Sequence, residues 1–310
     1  MLNRIIDDFG ETSMFTGSIT AIVTPMFDNG EVDFESLKKL VIRQIKAKTS
    51  ALVVCGSTGE APVLTKNESQ AILETVIKAA DRKIPVIAGT GSYSTQTAIE
   101  NTKIAMELGA DACLLVTPYY NRPTQHGLYQ HFKKIADSVP VPLILYNVPT
   151  RTGCDMLPCT VKKLAQVANI VGLKECVLST SRVEELVSQC ADKIDLFSGN
   201  DDEALPAILL GFKGVISVVS NAFPGAFQKM CELALKGDAS GARKINQQLM
   251  PLTQKIFSEA NPIGIKWLLN EMGLISSGIR LPLTPLSEQF RAPLKAALSE
   301  LSALNVGELI

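Results

Sequence analysis

The stretch ALVVCGSTGEAPVLTKNESQAILETVIKAADRKIPVIA, residues 51–88, contains one complete strand–helix–strand unit. The apolar run Ala51–Cys55 has the length of a buried strand, and Thr65-Lys66-Asn67-Glu68 is a capping box that predicts the start of a helix. That helix carries an apolar side formed by Ile72, Leu73, Val76 and Ile77. The next strand begins at Pro85. A chain built from such units is predicted to be an α/β protein with a parallel sheet.

The same unit recurs along the whole first part of the chain. Asp33, Ser94 or Thr95, and Gly109 supply further helix starts and stops. Eight apolar runs predict strands that are covered on both faces: Ser18–Val23, Ala51–Cys55, Pro85–Ala88, Ala112–Val116, Leu143–Tyr146, Ile170–Lys174, Asp195–Ser198 and Gly214–Val218. Eight units in series favour a (β/α)8 TIM barrel. A doubly wound open sheet is the alternative, and it is disfavoured because no Gly-x-Gly-x-x-Gly follows the first strand.

The alternation stops after about Lys236. Asp238 is predicted to cap a helix that carries Ala242, Ile245, Leu249, Leu252 and Ile256 on one side. A second helix is predicted after Asn261-Pro262, and a third from near Pro293 to Leu304. We therefore predict three segments: an N-terminal extension (1–13), a catalytic barrel (14–237) and a C-terminal helical domain (238–310).

Composition excludes several classes of protein. The net charge of −1 gives no electrostatic reason to expect nucleic acid or an anionic membrane as a partner. No run approaches the roughly 18 apolar residues of a membrane span, and residues 1–13 lack the apolar centre of a signal peptide. Seven cysteines without paired spacing predict reduced thiols and a cytoplasmic protein. The two histidines, His126 and His131, would lie on different sides of one helix, so no metal site is predicted.

The residues at the carboxyl ends of the strands are the candidates for chemistry, because barrel enzymes place their sites there. Each has an ordinary structural explanation as well. The second strand ends in a glycine turn, the tyrosines after the fourth suit packing, Arg151 suits a surface turn, and Asp201 suits the start of a helix. These end segments are Gly56-Ser57-Thr58-Gly59-Glu60, Pro118-Tyr119-Tyr120-Asn121-Arg122-Pro123, Tyr146-Asn147-Val148-Pro149-Thr150-Arg151-Thr152-Gly153, Lys174 and Ser198-Gly199-Asn200-Asp201.

Lys174 is the most informative of these residues. A lysine that ends a buried strand either extends its amine to solvent or keeps it desolvated, with a lowered pKa that suits Schiff-base formation. Tyr146 ends the neighbouring strand, and its phenol could carry protons for such a reaction. Arg151 suits a carboxylate, and the Ser57 and Thr58 hydroxyls suit a second carboxylate or a keto oxygen. No cofactor is predicted, since neither a phosphate-binding loop nor a pyridoxal phosphate site is visible.

The four motifs that contain Ser57, Tyr120, Tyr146 and Lys174 resemble, in order and spacing, those of the dihydrodipicolinate synthase (4-hydroxy-tetrahydrodipicolinate synthase) family. The resemblance extends from about Met14 to the C-terminus. It implies an enzyme that forms a Schiff base with pyruvate and condenses it with L-aspartate 4-semialdehyde in the diaminopimelate route of lysine biosynthesis. It also implies a homotetramer made of two tight dimers.

The resemblance further implies a role for each matching residue. Lys174 would form the imine, Tyr146 would relay protons, and Arg151 would receive the semialdehyde. Thr58 and the backbone of Gly199 and Ile216 would hold pyruvate. Tyr120 would reach into the partner's site and connect Tyr146 with the hydroxyl of Ser57, at a position where the family usually has threonine.

Two related activities remain as alternatives. N-acetylneuraminate lyases have a similar Gly-Ser-Thr-Gly-Glu motif, and keto-deoxy-sugar aldolases belong to the same superfamily. Arg151 and Tyr120-Asn121-Arg122-Pro123 favour the synthase. A barrel that only binds a keto acid needs neither Lys174 nor Tyr146. Feedback inhibition by lysine is predicted to be weak or absent, because the family's lysine pocket retains only Tyr119; its other positions hold Ala61, Lys66, Ser69, Tyr93 and Thr97.

Overall fold

The computed structural model describes residues 5, 6 and 12–303, with side chains for 14–301. Within this part of the chain, eight parallel strands form a closed barrel in sequence order. They are β1 (Gly17–Ala21), β2 (Ala51–Val54), β3 (Val86–Gly89), β4 (Ala112–Val116), β5 (Leu143–Asn147), β6 (Ile170–Glu175), β7 (Asp195–Ser198) and β8 (Gly214–Ser217). The TIM-barrel prediction is confirmed. The open-sheet alternative is wrong, because β8 pairs with β1 from Gly214↔Gly17 to Ser217↔Thr20 and closes the ring.

The strand bounds differ from the predicted ones by at most two residues. The largest difference is at β1, which ends at Ala21 rather than at Val23. The reason is that the Val23 N–H donates to the Asn221 side chain (3.0 Å) and not to a neighbouring strand. β5 and β6 each continue one residue further, to Asn147 and Glu175.

The helices of the barrel begin and end at the predicted signals. Asp33 accepts a hydrogen bond from Ser36 N, and both bonds of the Thr65–Glu68 capping box are present. Ser94, not Thr95, caps its helix, which ends at Gly109 in the left-handed conformation (φ +97°). The helices are α1 (Phe34–Lys46), α2 (Lys66–Ala80), α3 (Thr95–Leu108), α4 (Gln125–Ala136), α5 (Pro149–Thr152), α6 (Pro158–Leu164), α7 (Thr180–Cys190), α8 (Ala204–Leu209) and α9 (Pro224–Leu235).

The interior of the barrel is a packed core that includes Ile19, Val53, Ile144, Phe197 and Ile216. A larger apolar layer lies between the strands and the surrounding helices. At the amino end of the barrel, the Asp195 carboxylate accepts the Met14 and Phe15 N–H groups at 2.9 and 3.3 Å. Because side chains fill the centre, polar groups at the carboxyl ends of the strands are the ones that can face a ligand.

Among the described residues, three helices follow the barrel: α10 (Ala239–Ile256), α11 (Ile263–Glu271) and α12 (Glu288–Ala303). Asp238 caps α10 as predicted. The prediction that α12 starts near Pro293 was wrong, because Phe290 N–H bonds Ser287 O and the first turn forms before the proline. Leu304, its predicted end, lies outside the described residues. Within the described chain, no helix has both the length and the apolar character of a membrane span.

The division at 237/238 stays a prediction. Most of the predicted extension, residues 1–13, lies outside the described chain; in the part that is described, Ile5–Ile6 pairs with Thr12–Ser13.

Candidate active site

Lys174 and Tyr146 meet at the carboxyl end of the barrel. They face each other in the register of β5 and β6. The Lys174 amine lies 4.4 Å from the centre of the Tyr146 ring. Both residues are buried: Lys174 is 6% exposed and Tyr146 is 7% exposed. The structure thus brings together the amine and the phenol that the sequence singled out, and the lysine does not extend into solvent.

Burial is the main influence on both groups. It lowers the pKa of the Lys174 amine, because the charged form loses hydration; the negative charge of Asp201 opposes this shift, and the positive charge of Arg151 adds to it. Burial also raises the pKa of the Tyr146 phenol, and the Ser57 hydroxyl opposes that shift by hydrogen bonding. A neutral amine is a nucleophile, and a protonated phenol beside it is a proton donor. The pair can therefore support Schiff-base chemistry.

Thr58 and Gly199 lie around this pair. Thr58 is buried and accepts a hydrogen bond from Asn261 Nδ2 at 2.9 Å. A β-carbon at Gly199 would overlap the Cys176 sulfur and come within 3.1 Å of Lys174 Cε, so a larger residue there would have to displace the thiol. Ile216 lies on β8 beside Ile19, and its side chain belongs to the barrel core.

Arg151 lies on the rim of the site. It is exposed in the short helix α5, and its Nη2 donates to the Asn261 backbone carbonyl at 3.1 Å. Asn261 thus contacts both Arg151 and Thr58. Its Oδ1 is buried and has no hydrogen-bond partner among the described residues, which leaves an acceptor available beside Thr58. The sequence analysis did not identify Asn261 as a site residue, and no local pattern distinguishes it.

Tyr120 is not brought to this cluster within the single chain. It is 92% exposed and has a left-handed backbone (φ +69°) in the segment between β4 and α4. Tyr119 packs edge-on against Tyr93, with ring centres 5.2 Å apart. Ser57, in contrast, lies close enough to Tyr146 to oppose the rise in the pKa of its phenol.

Asp201 is a residue to which the sequence analysis gave only a structural role, at the start of a helix. The prediction that it begins a helix was wrong, because α8 starts at Ala204 and Asp201 is buried. Its carboxylate accepts hydrogen bonds from the Ser217 hydroxyl and from the Val218 N–H (3.0 Å), just past Ile216. Burial raises its pKa to about 6, against the effect of these donors and of Lys174. Asp201 therefore fixes the end of β8 and contributes negative charge near the amine.

Glu175 orders the opposite side of β6. It is fully buried and accepts hydrogen bonds from Asn147 Nδ2 and from the backbone N–H groups of Cys176 and Val177, each at 2.9 Å. Arg182 Nε lies 3.4 Å from Glu175 Oε2. Burial raises the pKa of Glu175 to about 7, although these donors and Arg182 oppose the shift. The network ties the ends of β5 and β6 together directly behind Tyr146 and Lys174.

Among the residues with described side chains, no group of three or more His, Cys, Asp or Glu is placed to hold a metal ion.

Comparison with known proteins identifies the family. Residues 14–301 match the model of the dihydrodipicolinate synthetase family. A protein of Nitrosococcus oceani named 4-hydroxy-tetrahydrodipicolinate synthase is 52% identical over 287 residues, which are 93% of this chain and 98% of the relative. The crystal structure of the chloride-inhibited dihydrodipicolinate synthase of Acinetobacter baumannii, complexed with pyruvate, superposes with a TM-score of 0.92 at 49% identity, covering 93% of this chain and 99% of that one. A monomeric dihydrodipicolinate synthase variant superposes with a TM-score of 0.91 at 40% identity, covering 93% and 97%. The chain belongs to the dihydrodipicolinate synthetase family.

Proposed function

We propose that this chain is a 4-hydroxy-tetrahydrodipicolinate synthase, a lyase that condenses pyruvate with L-aspartate 4-semialdehyde for lysine biosynthesis. The buried Lys174 amine, 4.4 Å from the Tyr146 ring at the mouth of the barrel, is the observation that carries the proposal. The names of the relatives, and the pyruvate in the structure from A. baumannii, support the same reaction.

The first stage binds and activates pyruvate. The Thr58 hydroxyl and the backbone at Gly199 and Ile216 hold its carboxylate end. The Lys174 amine then attacks the keto carbon, and the keto oxygen leaves as water with protons that Tyr146 delivers. The resulting imine draws electrons from the methyl group, which loses a proton and becomes nucleophilic.

The second stage forms the new carbon–carbon bond. Arg151 holds the carboxylate of the semialdehyde at the rim, and the activated methyl carbon attacks its aldehyde. Tyr146 returns a proton to the aldehyde oxygen, which becomes a hydroxyl. The amino group of the second substrate then displaces Lys174 from the imine carbon, which closes the ring and frees the enzyme.

Borohydride trapping tests this proposal. Incubation with pyruvate and borohydride should add a stable mass to the peptide that contains Lys174. Lys174→Ala should abolish both the adduct and nearly all turnover, whereas the exposed control Lys236→Ala should retain both. An active wild-type enzyme that gives no adduct would refute the proposal.

The Gly-Ser-Thr-Gly-Glu sequence around Ser57 keeps N-acetylneuraminate lyase and keto-deoxy-sugar aldolase as the second candidates. Turnover with L-aspartate 4-semialdehyde, compared with sialic acid and keto-deoxy sugars, decides between them. Stabilisation by pyruvate without turnover of any of these compounds would instead indicate a barrel that only binds a keto acid.

We also propose that the enzyme is a cytoplasmic homotetramer of two tight dimers. The exposed ring of Tyr120 is suited to enter a partner's site, and the seven free cysteines suit a reducing compartment. Since a structural relative is a monomeric variant, sedimentation of this chain is the direct test of its assembly.

A further inference from the structure

The segment between β4 and α4 has a strained backbone at the rim of the barrel. Tyr120 and Arg122 are both left-handed, with φ of +69° and +46°. This conformation is unfavourable for a residue with a β-carbon, and it persists only where the surrounding structure holds it. The Asn121 side chain supplies one such contact, because its Nδ2 donates to the Tyr93 carbonyl at 3.0 Å. Arg122 supplies another, on the opposite side of the segment.

Arg122 contacts Gly153, the residue at which α5 ends. Its Nε donates to the Gly153 carbonyl at 2.9 Å. A β-carbon on Gly153 would lie 3.5 Å from Arg122 Cδ and 3.6 Å from Arg122 Cγ, so the hydrocarbon part of the arginine covers the glycine. Gly153 is left-handed (φ +73°), and its N–H donates to the Pro149 carbonyl at the start of the helix. Arg122 therefore holds α5 at its carboxyl end.

The position of Arg151 depends on contacts of this kind. It lies on α5, which has only four residues, and a single helical turn is not stable on its own. The residue after it, Thr152, is held from the same direction, because Thr117 Oγ1 donates to Thr152 Oγ1 at 3.2 Å. Thr117 is buried, whereas Arg122 is exposed. Arg122 is thus the contact that can be replaced without disturbing the barrel core.

We propose that Arg122 is a positioning residue, which holds the end of α5 so that the Arg151 guanidinium meets the carboxylate of the semialdehyde. Arg122 acts through one N–H on the Gly153 carbonyl, not through its charge, and it does not contact the substrate. The inference rests on the proposed function, since the position of Arg151 matters only if Arg151 receives the second substrate.

Two replacements of nearly equal length separate the hydrogen bond from the charge. Glutamine has its Nε2 where arginine has Nε, so Arg122→Gln keeps a donor for Gly153 and loses the charge, whereas Arg122→Met loses both. Arg122→Met should lower kcat/KM for L-aspartate 4-semialdehyde about three- to tenfold, the effect of one lost hydrogen bond. The pyruvate KM and borohydride trapping should stay within about twofold of wild type, because Lys174 and Thr58 keep their places. Arg122→Gln, and the exposed control Arg243→Met on α10, should match wild type in every assay.

A double variant tests whether Arg122 acts through Arg151. In an Arg151→Leu enzyme, Arg122→Met should lower kcat/KM by less than about a further twofold, because the group that it positions is already gone. Independent effects would instead multiply. Thermal unfolding is measured for each variant. If Arg122→Met does not fold, Arg122→Gly takes its place, since glycine removes the donor and also relieves the left-handed backbone.

Four results would overturn the proposal: an Arg122→Met enzyme with wild-type kcat/KM, an Arg122→Gln enzyme as impaired as Arg122→Met, an equal loss of pyruvate trapping, or effects that multiply in the double variant. The second result would show that the charge matters, and the third that Arg122 supports the whole site. Wild-type trapping and turnover are measured first. Their failure would count against the proposed function, whereas a defect confined to the Arg122 variants concerns only the positioning role.

Discussion

Lys266→Met should destabilise the protein and weaken pyruvate binding. Lys266 lies on α11, and its amine forms an ion pair with Glu60, the last residue of the loop that carries Ser57 and Thr58. The two side chains are 3% and 0% exposed. The second carboxylate oxygen of Glu60 accepts a hydrogen bond from the backbone N–H of Arg280 at 3.1 Å. One buried pair therefore connects the C-terminal helices to the candidate pyruvate site.

The expected size of the effect follows from this burial. Removing one partner of a buried ion pair costs about 3–5 kcal/mol, because the remaining charge stays in the interior without its counter-charge. For a chain of 310 residues, that cost corresponds to a fall in melting temperature of about 5–8 °C. The loop that ends at Glu60 loses an anchor, so we also expect a higher pyruvate KM.

Thermal unfolding and steady-state kinetics measure both effects. Adding Glu60→Gln to Lys266→Met should recover more than half of the lost melting temperature, because the double variant has no uncompensated charge. Lys295→Met is the matched control: its partner is Glu271, and its own side chain is 66% exposed. A surface pair contributes about 0–1 kcal/mol, so this variant should melt within about 2 °C of wild type. A Lys266→Met protein as stable as the control, or a double variant no more stable than the single one, would refute this account.

Four further predictions concern the site and its surroundings. Arg151→Leu should lower kcat/KM for L-aspartate 4-semialdehyde about 10- to 100-fold, since a charge-assisted bond is lost; trapping of the pyruvate adduct should be unchanged, and an equal loss of trapping would contradict the role of Arg151. Asn261→Ala should raise the pyruvate KM about three- to tenfold, because Thr58 loses its donor; an unchanged KM in a steady-state assay would count against it. Glu68→Gln should flatten the fall of melting temperature in acid. Arg280 holds the pKa of Glu68 at about 2, below its ordinary 4.5, so the stability that this ion pair contributes is present above pH 4.5 and is lost as the pH falls towards 2. A Glu68→Gln protein whose melting temperature falls in acid as steeply as that of wild type would contradict this prediction. Millimolar L-lysine should leave turnover nearly unchanged, given Lys66 in the family's inhibitor pocket, and micromolar inhibition would show this prediction to be wrong.

The barrel could be predicted because its strands are covered on both faces. Such strands read as continuous apolar runs, and the helices between them carry caps that act locally. A lysine at the end of such a run is conspicuous, so Lys174 was identified from position. Tyr146 followed from the neighbouring strand. Each of these signals is local to one strand or one helix start and does not depend on how the barrel closes.

The residues that the sequence analysis missed are those that closure brings in. Asn261 contacts Thr58 across 203 positions of sequence. Asp201 looked like a helix start, and only the pairing of β8 with its neighbours shows its carboxylate fixing the end of β8. Long-range contacts of this kind leave no local pattern.

The layer beneath Lys174 explains how the barrel produces a reactive amine. Gly172 precedes Lys174 on the same face of β6, and a β-carbon there would come within 3.3 Å of the Phe197 ring and 3.5 Å of Ile144. The missing side chain lets these two apolar groups close the barrel directly below the lysine, and Phe197 is also the register partner of Lys174 on β7. The amine therefore has hydrocarbon below it and the Tyr146 ring beside it. That desolvation is the largest cause of its lowered pKa, larger than the opposing charge of Asp201. Gly172 thus contributes to the chemistry, because the packing that it permits excludes water from below the Lys174 amine.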